Sequence, residues 1–174
     1  MTTANKLTIL RIILVPVFLG VLYAGFPNSN LVALVIFIIA SLTDLLDGYI
    51  ARHYNQITNF GKFMDPLADK ILVMSAMCWF VEVHQMPGWV LAIVLFREFA
   101  VSGMRLVAVE QGKVIAAAWS GKVKTASTMV CLCLMLFGVP EPVQLVCNIV
   151  ILATTVYSGL EYFWKNRTVF QNAD

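Results

Sequence analysis

Charge is scarce in this chain. Asp, Glu, Lys and Arg make up 13% of its 174 residues, against 60% hydrophobic ones, and the mean hydropathy is +0.82. A soluble domain carries about 25% charged and about 45–50% apolar residues. The deficit excludes an ordinary water-soluble globule and identifies an integral membrane protein with room for one membrane domain, residues 1–174. A net charge of only +2 gives no reason to expect nucleic acid as a partner. No Cys-x-x-Cys motif occurs, and Cys78, Cys131, Cys133 and Cys147 all lie in apolar runs. They read as small hydrophobes and report no redox compartment. His53 and His84 have no ligand cluster around them. Repeats and low-complexity tracts are missing. No cleavable signal peptide is evident, and the first apolar run reads as a retained first span.

What is present is a series of long apolar runs. They cover about 8–25, 31–51, 63–82, 88–109, 122–138 and 143–163, each close to the roughly 20 residues a helix needs to cross a bilayer. Turn chemistry separates them: Gly25-Phe-Pro27-Asn28, a polar stretch at 52–62, Met86-Pro87-Gly88, Gln111-Gly112 and Gly138-Val-Pro140-Glu-Pro142. The expectation is an all-α protein with six transmembrane helices. Lys6, Arg52, Lys62, Lys113, Lys165 and Arg167 fall before the first span, in the second and fourth connections, and after the last span. The other three connections contain no Lys or Arg. That bias places both termini in the cytoplasm. Asn5, Lys6 and Arg11 come so early that the first residues are a candidate surface-lying amphipathic segment. Pro16 is a candidate kink.

Against this background four aspartates stand out: Asp44, Asp47, Asp65 and Asp69. A carboxylate at the bilayer centre costs roughly 2.5–3.5 kcal/mol, so all four require counter-charges or a polar cavity. Steps of three and of four put each pair on one helix face. Two antiparallel helices with a short connection then aim four carboxylates at one gap. Hard divalent cations prefer all-oxygen sites of this kind. So concentrated a charge favours two cations, which clamp the entering and leaving oxygens of a displacement at phosphorus. Gly48 and Ala51 leave room for a bulky ligand close to the backbone, and Arg52 offers a planar fork to phosphate. Arg97, Glu98, Arg105, Lys122 and Lys124 are expected at the same cytoplasmic depth. The active site is therefore expected to open to the cytoplasm.

The pattern Asp-x-x-Asp-Gly-x-x-Ala-Arg-x8-Gly-x3-Asp-x3-Asp, met at every defined position of residues 44–69, resembles the signature of the CDP-alcohol phosphatidyltransferases. The resemblance implies that family's six-helix fold and the transfer of a phosphatidyl group from a CDP-lipid to an alcohol, with release of CMP. It implies two divalent cations, Mg2+ or Mn2+, one on Asp44, Asp47 and Asp65 and the other on Asp44, Asp65 and Asp69. Asp69 becomes the general base. Asp47, Gly48, Ala51, Arg52 and Gly61 become the CDP-lipid site. A homodimer in a bacterial inner membrane is also implied.

The run from Asn59 to Lys70, the Asn5–Arg11 segment, Arg97-Glu98 with Ser102 and Arg105, and Gly121-Lys122-Val-Lys124 resemble the bacterial phosphatidylglycerophosphate synthases within that family. The acceptor is then sn-glycerol 3-phosphate and the donor CDP-diacylglycerol. A small dianion requires fixed positive charge, which Arg97, Arg105, Lys122 and Lys124 supply, with Asn5, Thr8 and Arg11 as weaker candidates. Two rival readings exist. One keeps the chemistry and changes the alcohol to phosphatidylglycerol, inositol phosphate or serine. The other is a divalent-cation transporter, which accounts for the carboxylates but not for the glycines, alanine and arginine in register with them.

Overall fold

The structure is a computed structural model that describes the backbone of residues 3–53, 59–112, 115–116 and 118–167. Side chains in 3–6, 44–53, 59–63, 65–66 and 69 lie outside the described residues. The described residues form α-helices in the order α1 (Thr3–Ala24), α2 (Ser29–His53), α3 (Asn59–Glu82), α4 (Gly88–Glu110), α5 (Trp119–Phe137) and α6 (Glu141–Lys165).

Each apolar run becomes one helix because lipid offers a backbone no hydrogen-bond partners. The chain satisfies its own N–H and C=O groups internally. Punctuation sets the ends. Gly138 adopts φ +88°, a conformation that favours glycine, and its N–H closes on the Met135 carbonyl at 3.1 Å. Pro140, extended at φ −64°, then precedes α6, whose first turn contains Pro142. Pro87 plays the same part before α4. Among the described residues α1 over Leu7–Ala24, α5 and α6 are long and apolar enough to cross a membrane, and Ser29–Thr43 of α2 is a shorter apolar stretch. α4 has spanning length, at 23 residues, but carries Arg97, Glu98 and Arg105. α1 runs unbroken from Thr3 and contains Pro16. No helix break therefore separates a surface-lying segment from the first span.

The chain divides into two compact units. The first holds residues 1–82 and 133–139. In it α1 lies against α2 and α3, and α2 against α3. The buried face of α1 is Thr8, Arg11, Val15, Phe18 and Leu22, a stripe in alternating steps of three and four that follows the helix repeat. Ala33, Phe37 and Ala40 of α2 and Ala68, Leu72, Ala76 and Phe80 of α3 complete the core. The alanines matter because small residues let helix backbones approach closely in lipid. Phe18 and Phe37 meet with ring centroids 5.9 Å apart. Tyr23 sits edge-on to Trp79 at 5.2 Å and donates a hydrogen bond to the Glu82 carboxylate.

The second unit holds residues 83–132 and 140–174. α4 lies against α6, with Val101, Met104, Ala108 and Tyr162 at the centre of the packing. The Asn148 amide donates to the Gln85 carbonyl at 2.9 Å and ties α6 to the turn before α4. Outward faces of both units carry large exposed hydrophobics such as Ile13, Ile39, Phe96, Phe99 and Leu160, as helices facing lipid require. Trp89, Trp119 and Trp164 are exposed at helix ends, where interfacial aromatics belong.

Phe18→Ala should lower the unfolding free energy of the detergent-solubilised protein by about 3 kcal/mol through the cavity it leaves. Phe99→Ala, on an outward face, should change it by less than about 0.5 kcal/mol. Thermal and chemical denaturation of the two variants check this, and equal effects would contradict the assignment of the core.

Candidate active site

Asp44 and Asp47 lie on the helical backbone of α2, one turn apart, and Asp65 and Asp69 on that of α3, also one turn apart. α2 and α3 are consecutive and in contact within the first unit. The side chains of these four residues, and of Gly48, Ala51, Arg52, Gly61 and Asn5, lie outside the described residues. Gly48, Ala51 and Arg52 are on the last turns of α2, and Gly61 on the first turn of α3. Among the described residues no group of three or more His, Cys, Asp or Glu could hold a metal.

The register of α1 bears on the aspartates. α1 and α2 are consecutive antiparallel helices, matched in depth where Phe18 meets Phe37. Seven residues back along α1 is Arg11, and seven on along α2 is Asp44. Arg11 is thus level with the aspartate turn of α2. Arg11 is completely buried and Thr8, one turn earlier, nearly so. Arginine is almost never fully buried unless paired. Full burial removes plain membrane-surface anchoring as the role of these two residues.

The second unit collects the basic residues of α4 and α5, and it does so unequally. Arg97 Nη1 donates to Glu98 Oε1 at 2.9 Å, and Lys124 Nζ donates to the same oxygen at 2.7 Å. All three side chains are largely withdrawn from solvent, at 13%, 14% and 6% exposure respectively. One carboxylate therefore fixes two cations side by side, and the triad keeps a net charge of +1. Charge-assisted bonds of this length are the strong ones. Buried Nε of Arg97, Oγ1 of Thr128 and Oγ1 of Thr155 have no hydrogen-bond partner among the described residues. Thr128 is one turn from Lys124 on α5, and Thr155 one turn from Gly159 on α6. Buried polar atoms without a partner call for an explanation such as a bound water or ligand.

Lys122 and Arg105 are placed differently. Lys122 is exposed and its Nζ lies 5.8 Å from the centre of the Trp119 ring. Two residues from Lys124 on a helix, it emerges on another side. Arg105 donates from Nε to the Tyr162 hydroxyl at 3.1 Å, and its guanidinium stands over that ring at 5.6 Å, a cation–π arrangement. Of the four expected acceptor cations, Arg97 and Lys124 are the two brought together.

Sequence reading offered Glu98 as an ion-pair partner for Arg97, which the structure shows, but passed over its reach to Lys124, Tyr162 as the seat of Arg105, and Gly159. The partners lie 26 and 57 residues apart in the first two cases, and no local pattern announces them. Gly159 had a signal: Thr155-x-x-x-Gly159 is a small-x-x-x-small motif of close helix contacts.

Comparison with known proteins adds a family match and three relatives. The profile of the CDP-alcohol phosphatidyltransferase family matches residues 1–158. The chain is 41% identical, over 93% of each chain, to the CDP-diacylglycerol–glycerol-3-phosphate 3-phosphatidyltransferase of Bacillus subtilis (strain 168). It is 40% identical over 90% of each chain to the protein of that name from Shigella flexneri serotype 5b, and 43% identical over 75% of this chain and 74% of its relative to that of Salmonella typhimurium.

Glu98→Ala strands two buried cations and should destabilise the protein by about 3 kcal/mol. Adding Lys124→Met to it removes one of the stranded charges and should restore part of the loss. A double-mutant cycle on melting curves measures the coupling, and additive effects would show that the shared oxygen carries no weight.

Proposed function

The chain belongs to the CDP-alcohol phosphatidyltransferase family, and from that membership we infer that it transfers the phosphatidyl group of CDP-diacylglycerol to sn-glycerol 3-phosphate. The products are phosphatidylglycerophosphate and CMP. One observation carries the choice of acceptor. Relatives at 41% and 40% identity, matched over at least nine-tenths of both chains, bear the name of that activity. The Arg97–Glu98–Lys124 triad supports it physically, since a net positive, largely buried cluster favours an anionic acceptor over a neutral alcohol.

Roles follow from chemistry. The family generally uses divalent cations, and the donor set of Asp44, Asp47, Asp65 and Asp69 on two adjoining helices fits hard cations such as Mg2+ or Mn2+. Asp44, Asp47 and Asp65 would hold one cation, and Asp44, Asp65 and Asp69 the other. Bound there, the cations would neutralise charge on the pyrophosphate and on the departing CMP. Arg11, completely buried and level with Asp44, offsets part of the acidic charge. Asp47, Gly48, Ala51, Arg52 and Gly61 bind the CDP-lipid: the two small residues admit the nucleotide, and Arg52 takes phosphate oxygens.

Arg97 and Lys124 hold the phosphate of glycerol 3-phosphate, while Arg105 and Lys122 add positive potential that draws the dianion in. Asn5 and Thr8 contribute at the N-terminal end of α1. Asp69 takes the proton of the 1-hydroxyl. The resulting oxygen nucleophile forms a bond to the phosphorus nearer the diacylglycerol. The bond from that phosphorus to the bridging oxygen breaks, and CMP departs with the electron pair.

The protein is a multi-pass membrane protein. We read residues 1–174 as one membrane-embedded domain with six spans, because the family match runs unbroken through both compact units. Both termini and the active site face the cytoplasm of a bacterium. The assembly is a homodimer.

Purified protein given CDP-diacylglycerol, glycerol 3-phosphate and Mg2+ should release CMP. Asp69→Asn should cut the rate by about 100-fold or more, and Arg97→Ala should raise KM for glycerol 3-phosphate by about 10-fold or more. Chelation should stop turnover, and added Mg2+ should restore it. Inositol, serine or glycerol serving as well as glycerol 3-phosphate in a panel would remove the acceptor assignment.

A further inference from the structure

Arg97 is held by more than Glu98. An ideal Cβ built on Gly159 of α6 would stand 3.2 Å from Arg97 Cγ, and one built on Gly121 of α5 would stand 3.6 Å from Arg97 Nη2. The arginine stem therefore rests against α6 where there is no side chain, and its head lies near the first turn of α5. The second distance is ordinary contact. The first is tighter than most real Cβ contacts, so a methyl group there requires Arg97 to give by a few tenths of an ångström.

Cγ is the fixed end of the side chain, close to its own backbone. It yields only by turning the first torsions of the chain. The guanidinium lies farther out on the same lever and moves more. What it would lose is its alignment with Lys124 Nζ on the single oxygen Glu98 Oε1. Helix stability offers no reason for the glycine, because Ala is the better residue in a helix interior.

We propose that Gly159 is a positioning residue for the acceptor. Its missing side chain keeps Arg97 beside Lys124 on Glu98 Oε1, where the two cations can take one phosphate group together, and so selects phosphorylated over neutral alcohols. The proposal rests on the reading that Arg97 and Lys124 hold the acceptor phosphate. It adds the residue that fixes their separation.

The test is Gly159→Ala, with Gly103→Ala and Gly20→Ala as controls, since a Cβ at either control position meets open space. Steady-state kinetics are run in detergent against each substrate in turn, with melting temperature measured alongside. Gly159→Ala should raise KM for glycerol 3-phosphate about three- to tenfold, in proportion to a sub-ångström misplacement. Its KM for CDP-diacylglycerol should stay within about twofold, and it should stay folded, with at most the modest loss of melting temperature that local overpacking brings. Both controls should match the parent protein. An unchanged acceptor KM in Gly159→Ala overturns the proposal while Arg97→Ala still raises it. If Arg97→Ala leaves the acceptor KM unchanged as well, the underlying phosphate assignment fails instead. A Gly159→Ala protein that unfolds, or loses melting temperature together with affinity for both substrates, marks the glycine as a packing residue only and also overturns the proposal.

Discussion

Charge inside apolar helices is the constraint on which this structure turns. Water is not there to solvate it, so each ionised side chain must find a counter-charge or a polar partner within the protein. Arg11 is fully buried, and Lys124, Arg97 and Glu98 are nearly so. Such groups cost several kcal/mol each to desolvate, and a chain with 13% charged residues has few with which to offset them. They are therefore concentrated. One carboxylate serves two cations, and one buried arginine lies at the depth of an aspartate turn.

The remainder of each unit is arranged to make that concentration tolerable. In the first, alanines at 33, 40, 68 and 76 bring the helix backbones close, and dispersion contacts then replace what water would supply elsewhere. Tyr23 ties α1 to the end of α3 through Trp79 and Glu82, far along both helices from the aspartates. In the second, Tyr162 serves twice: its ring supports Arg105 and its hydroxyl accepts that residue's Nε–H. An aromatic with one polar tip can anchor a cation without a second carboxylate, which keeps the local charge positive.

The helices were legible because the signal for them is long and local. Apolar runs of bilayer length gave every helix that the structure contains among its described residues. The starts were less exact: α3 begins at Asn59 rather than near 63, and α2 at Ser29 rather than near 31. Hydropathy falls where the apolar environment stops, whereas backbone hydrogen bonding continues into polar turns. The aspartate pattern rests on a local signal of the same kind, residues three and four apart on one helix face, and the side chains that would form the site lie outside the described residues. The Glu98 bridge was not, because it joins α4 to α5 across 26 residues. Lys122 and Lys124 looked equivalent as charges in a row. Helix phase separates them, sending one onto Trp119 and the other onto Glu98.

Sharing Glu98 Oε1 between two cations also has a consequence for turnover in the acceptor role inferred here. Two bare cations would grip a dianion hard, before reaction and after it. With the carboxylate included, a phosphate brings the cluster from +1 to −1, so attraction is strong at a distance and partly spent on arrival. The phosphorylated lipid that forms keeps the same phosphate and must slip away into the bilayer. In that proposed role Glu98 would compete with the bound phosphate, giving up some ground-state affinity to keep product from lingering.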